Sequence, residues 1–221
     1  MAVTADLTAG FERPTRDQWL ELTARSLKGA PFDSLVSRTA DGLEIQPLYT
    51  ADGAAAPLAP SLGEPIAPGA WDVRATVRQG DAAKANTAAL DELAGGANSL
   101  LLDLADGAIG SAADMARALD GVVLEVAPVA LDAGFSGVQA AGWLAEAAKG
   151  SPTALLELHM DPLGALAEAG RSPGPIEGHI ELAAQTGVKL AAAYPRASLF
   201  LASGRAVHEA GGSEAQELGG M

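Results

Sequence analysis

The spacing of hydrophobic residues along this chain changes near residue 70. Before that point the pattern is sparse. Trp19, Leu20, Leu22 and Leu27 make a lopsided apolar stripe that predicts a first helix. Thr15 is placed to cap it, with Gln18 three residues on as a weak capping box, and Gly29 closes it. Within residues 35–49, Leu43, Ile45 and Leu48 nearly alternate. Asp41-Gly42 supplies the hairpin turn there, because glycine takes a positive φ without steric cost. Residues 50–70 are rich in Ala, Pro and Gly and read as a linker or extended arm. One helix and one hairpin bury little by themselves, so this arm is expected to pack on something else.

From Trp71 onward, short apolar runs alternate with amphipathic stretches. Helices are predicted over 81–93, 111–119 (Ser111 as cap), 137–148, 176–186 and 213–218. Residues 188–193 either extend the fourth of these or, after a break at Gly187, form a short strand. Strands are predicted over 99–104, 122–126, 154–158 and 197–202. Strands that are apolar throughout and alternate with helices predict a parallel sheet covered by helices. Four such β/α units are visible, whereas a full (β/α)₈ barrel takes eight strands and about 250 residues. The expected fold class is therefore α/β: a TIM-type (β/α) barrel truncated to about four units, residues 71–221, behind a helix-hairpin arm, residues 1–70.

Composition narrows the partners. Hydrophobic residues make up 48% of the 221 and aromatics only 4%, so the core is built from Leu, Val and Ala. The formal net charge is −14, from 28 acids against 14 Lys plus Arg. Such a surface repels phosphate backbones and anionic lipid heads, so neither nucleic acid nor membrane is an expected partner. An anionic ligand would need a locally basic pocket. The absence of cysteine removes disulfides, thiol nucleophiles and Cys-type zinc sites. The first residues lack a basic segment followed by an apolar one, and no apolar run approaches the roughly 20 residues of a membrane span. A cytoplasmic protein is expected.

Candidate chemistry is thin. The histidines His159, His179 and His208 do not form an HExxH motif, and no Gly-rich phosphate loop follows a strand. Gly204 and Gly211-Gly212 read as turns or close-packing positions. Barrel active sites form at strand C-terminal ends. Asp103, Glu125, Glu157, His159, Asp161, His208 and Glu209 are expected at or near such ends. They form either a polar site for a substrate or a set of caps and mutual hydrogen bonds. Asp161 before Pro162 fits a helix cap. Arg74, Arg78 and Lys84 make a small basic patch, with Arg74 and Arg78 on one face if the segment is helical. They can contact ligand phosphates, or pair with Asp72 and Asp81.

Several stretches together resemble the methylmalonyl-CoA mutase family. They are Ser-Leu-Lys-Gly at 26–29, Phe-Asp-Ser-Leu-Val at 32–36, the run 39–49, Trp-Asp-Val-Arg at 71–74, Asp-Pro-Leu-Gly at 161–164, and 208–218. The last spells H-x-A-G-x-x-x-x-Q-E-L and is the most specific. The resemblance runs from about residue 15 onward and covers only the front part of a family member. It implies an acyl-CoA-threading barrel that is followed, in these enzymes, by a cobalamin domain; they convert methylmalonyl-CoA to succinyl-CoA with adenosylcobalamin. Bacterial members often pair a catalytic large subunit with a homologous small one lacking the cofactor.

Departures from catalytic members point to the small subunit. Thr76 stands where they have tyrosine, Ala206 where they have histidine, and His159-Met160-Asp161 where they have Gln-Asn-Asp. The Asp-x-His-x-x-Gly cobalamin-ligand motif is absent from the sequence. The resemblance thus implies a non-catalytic chain that binds no cofactor itself and supports a large subunit as a heterodimer, with adenosylcobalamin held elsewhere in the complex. It implies a CoA contact at Arg74, to which the strand-end histidines His159 and His208 are added as candidate CoA contacts, and no catalytic or metal-binding residue. Two alternatives stay open: a piece of an active acyl-CoA mutase, and a stand-alone acyl-CoA binding module.

Overall fold

The computed structural model describes Gly10 and residues 14–50, 71–105, 107 and 109–221. Residues 51–70 of the expected linker, and those before Pro14 other than Gly10, lie outside that description. The chain divides into two units, Met1–Pro65 and Ile66–Met221.

In the first unit, α1 (Arg16–Ser26) opens on a capping box. The Thr15 N–H donates to Gln18 Oε1 at 2.8 Å, and the Gln18 N–H donates to Thr15 Oγ1 at 3.3 Å. Each bond satisfies an amide that the first helical turn leaves without a backbone partner. After Gly29, whose φ is +97°, Phe32 meets Trp19 edge to face at 6.1 Å. The hairpin β1 (Ser37–Arg38) and β2 (Glu44–Ile45) pairs Ser37 with Ile45 and Arg38 with Glu44. Its turn uses Gly42 at φ +82°. No residue of α1 is buried, and Leu43, Ile45 and Tyr49 are exposed. Among its described residues this unit has no core of its own.

In the second unit, β3 (Arg74–Val77), β4 (Ser99–Asp103), β5 (Val129–Asp132), β6 (Leu156–Met160) and β7 (Ser198–Phe200) form a parallel sheet. Its order follows the chain, β3-β4-β5-β6-β7. Helices make the crossovers that parallel neighbours require: α2 (Ala82–Ala94), α3 (Ala112–Ala118), α4 (Gly137–Ala147), then α5 (Pro162–Ala169) with α6 (Ile176–Ala193). Beyond β7 come α7 (Arg205–Glu209) and α8 (Glu214–Gly220). Polar side chains cap the helix starts, Ser111 as expected. Asp81 accepts the Lys84 N–H at 2.8 Å, Ser111 that of Asp114 at 3.1 Å, and Ser213 that of Gln216 at 3.3 Å.

The sheet therefore has five strands where the apolar runs predict four. The extra one is β3, whose Arg-Ala-Thr-Val carries too little apolar signal to register as a strand. Residues 122–126 are a turn, not a strand. Val123 and Val126 are exposed while Leu124 is buried, and the Val126 and Ala127 amides both donate to the Val123 carbonyl. The strand begins only after Pro128, at Val129. Residues 188–193 are helical. Gly187 does not break α6; a Cβ there would press within 2.8 Å of Phe200 of β7, so its hydrogen lets the helix lie close on the sheet.

One sheet face is apolar and covered by helices. Leu100, Leu102, Val129, Leu131, Leu156 and Leu158 are all buried against Ala85 and Ala89 of α2, Met115 of α3, and Ala140, Ala141 and Leu144 of α4. Each such leucine contributes about 1.5–3 kcal/mol on burial. The alanines let helices approach the sheet closely. The Tyr194 hydroxyl, after α6, donates to the Ala145 carbonyl of α4 at 2.8 Å. Strand alternation sends the other residues to the opposite face, and the register aligns them. Arg74 sits beside Ser99, Leu101 beside Ala130, Asp103 beside Asp132, and Ala130 beside Glu157. That face is polar, which corrects the expectation of strands apolar on both sides.

Candidate functional site

The polar face owes its chemistry chiefly to β6. Its Leu-Glu-Leu-His-Met alternates buried and half-buried positions, so Glu157 and His159 share the polar side. The register against β7 shifts between Glu157 and Met160, and His159 takes φ +48°. A left-handed backbone is uncommon for a residue other than glycine, and bulges of this kind re-aim side chains beside functional sites. Here the bulge brings His159 Nε2 to 3.2 Å from Glu157 Oε2.

Arg74, at the start of β3, grips the same carboxylate. Its Nη1 donates to Glu157 Oε2 at 2.7 Å and its Nη2 to Oε1 at 2.5 Å, a bidentate pair. Arg74 Nε donates to the buried Ser99 hydroxyl at 3.1 Å, and Nη2 also reaches Asp72 at 3.1 Å. The Glu157 hydrogen bond, opposed by burial, raises the Arg74 pKa above its ordinary value. Burial alone would push Glu157 up. The hydrogen bond and charge of Arg74, helped by His159, outweigh it and hold the carboxyl below the usual glutamate range.

A second arginine closes the other side. Arg205, at the start of α7, donates from Nε to Glu168 Oε1 at 2.9 Å and from Nη2 to Oε2 at 2.6 Å, while Nη1 reaches Asp132 at 2.7 Å. Glu168 first and Asp132 next raise its pKa well above the ordinary arginine value. Between these networks lies a cavity of about 170 Å³, lined among others by Arg74, Asp132, His159, Asp161, Glu168 and Arg205. Each arginine faces two carboxylates, so neither leaves positive charge to spare. Asp161 is occupied as the cap of α5, accepting the Gly164 N–H at 2.7 Å, with Pro162 at the first helical position.

The structure brings Arg74 and His159 into one cavity and leaves His208 out of it. His208 lies in α7 with its side chain 71% exposed, and its Nδ1 is 3.1 Å from Glu217 of α8. Glu125 is exposed in the turn before β5, and Glu209 is exposed in α7. Arg78 and Asp103 pair with each other, with Nε to Oδ2 at 2.6 Å, and Lys84 pairs with Asp81 at 3.1 Å. Arg74 and Arg78 share a side by strand alternation rather than helical spacing. Sequence reasoning missed Asp132, Glu168 and Arg205. Asp132 ends β5 and was hidden by placing that strand too early; nothing local marks the other two.

Gly170-Arg171-Ser172-Pro173-Gly174 spells G-x-S-x-G, but it forms the connection between α5 and α6 instead of a strand-to-helix elbow, so Ser172 is not a nucleophile of that kind. Gly211 takes φ +82°, and a Cβ on Gly212 would overlap Val207, so this pair serves a turn and close packing. Among the described residues no group of three His, Asp or Glu could hold a metal ion, and no helix is long and apolar enough to cross a membrane.

The chain is 36% identical to the methylmalonyl-CoA mutase small subunit of Streptomyces virginiae, across 240 aligned positions that cover 96% of this chain. It spans 37% of that protein's length. No family model matches the chain.

Proposed function

This chain belongs to the methylmalonyl-CoA mutase family, and on that premise we propose that it is a non-catalytic, small-subunit-like component supporting a large subunit in an adenosylcobalamin-dependent mutase. The activity of the complex is the isomerisation of methylmalonyl-CoA to succinyl-CoA, in the cytoplasm. The observation that carries the non-catalytic part is the cavity at the strand ends. At about 170 Å³ it is smaller than the roughly 300–1,000 Å³ of ordinary ligand pockets, and its two arginines are each taken by two carboxylates of the chain itself.

Two features support reading the sheet as an arc of a (β/α) barrel. The strands run parallel in chain order, and Arg74 of β3 reaches Glu157 of β6 across β4 and β5. Neighbouring strands lie about 4.8 Å apart, so a flat sheet would set these two about 14 Å apart, while a concave face brings them together. Among the described residues β3 and β7 are the end strands of this sheet, and their unpaired sides suit further strands or a partner chain. The arm, residues 1–70 with no core among its described residues, is the proposed contact with the large subunit.

The residues present do not fit a corrinoid. The strand-end cavity is too small for one, His208 is engaged by Glu217, and adenosylcobalamin is assigned to the partner. A second reading, an acyl-CoA binding module, draws on Arg74 and His159 lining one cavity, with His208 as an outlying contact.

The full chain supplied with adenosylcobalamin and methylmalonyl-CoA is expected to form no succinyl-CoA alone. It is expected to raise the turnover or stability of a family large subunit. Succinyl-CoA formed by this chain alone would overturn the proposal, and saturable acyl-CoA binding by the chain alone would favour the second reading.

A further inference from the structure

We propose that Glu157 is the specificity-determining residue of this mouth: its carboxylate occupies the bidentate face of Arg74 and so shuts out any anionic ligand. A guanidinium presents that face to one carboxylate or phosphate at a time. Glu157 fills both positions, at 2.7 and 2.5 Å, and a third contact at 3.1 Å from Ser99 holds the guanidinium in place. Arg74 is thus oriented as an anion-binding arginine would be, with the anion supplied from within the chain.

The geometry around it favours one small anion. His159 Nε2 lies 3.2 Å from the same carboxylate and can donate to whatever oxyanion replaces it. Asp72 remains on Arg74, and Asp132 and Glu168 surround Arg205, so a multiply charged anion would be repelled. The ligand class for an opened mouth is a small monocarboxylate, the size of the group Glu157 itself contributes. This inference stands apart from the subunit assignment, since it concerns only what Arg74 can bind.

The test titrates acetate into the full chain and follows the ¹⁵N NMR signal of Arg74 Nε, in wild type, Glu157→Gln and Glu157→Ala, with folding checked by circular dichroism. Wild type is expected to show no saturable shift. Each variant is expected to bind acetate at least tenfold more tightly, and adding Arg74→Gln to either is expected to abolish the gain. Equal acetate binding by wild type and variants, or a gain that survives Arg74→Gln, would overturn the inference. So would loss of the folded state in both variants, which would make Glu157 a strut of the sheet.

Discussion

Glu157 concentrates the electrostatics of this molecule in one side chain. Its carboxylate is about a quarter exposed, at 26%, and joins β6 to β3 through Arg74. A hydrogen bond to a charged group contributes about 1.5–3 kcal/mol, and partial exposure puts this pair toward the lower figure. Because its folded pKa lies below the ordinary glutamate value, the contribution is fully present above that ordinary value and is lost as pH falls through the depressed folded one. Urea midpoints of wild type and Glu157→Gln should therefore differ most near neutrality and converge as pH falls through the depressed folded value. A gap that stays constant throughout the acid limb, down to acid unfolding, would show that the variant acts through packing instead.

Elements follow their local chemistry closely where polar caps define them, and three of the four strands read from apolar runs hold as β4, β6 and β7. Thr15, Ser111 and Asp161 were legible as caps because a side-chain oxygen at the first turn has one obvious use. The strand read at 122–126 shows the opposite case: apolar runs of that length fit a strand, a turn or a helix start equally well, and Pro128 settled which. β3 was illegible because Arg74 and Thr76 take alternate positions on the polar face. The motif Asp-Pro-Leu-Gly has an element-scale explanation. A Cβ on Gly164 would overlap the Asp161 carboxylate that caps α5. Gly164→Ala should thus destabilise the protein by about 1–2 kcal/mol in urea unfolding, although alanine is the better helix former by about 1 kcal/mol. An unchanged or raised midpoint would mean the cap relaxes without loss.

For the whole molecule, the parallel α/β class and most helices were legible, though α7 was not, and the motifs at 71–74, 161–164 and 208–218 led to the family. The site was only half legible. Arg74 reaches Glu157, and through it His159, over 83 positions of sequence, and Arg205 joins Asp132 over 73. Separations of that size leave no trace in local spacing. What the assembled face offers is a sheet whose arginines are neutralised within the chain, in a chain of net charge −14, with end strands and an arm that the proposed large subunit would engage. The proposed role of the chain turns on that partnership. Its most direct test is the native mass of the complex recovered when this chain is tagged in its own source cells. Association with a larger, cobalamin-carrying mutase chain is the predicted result, and recovery of this chain alone or as a homo-oligomer would contradict it.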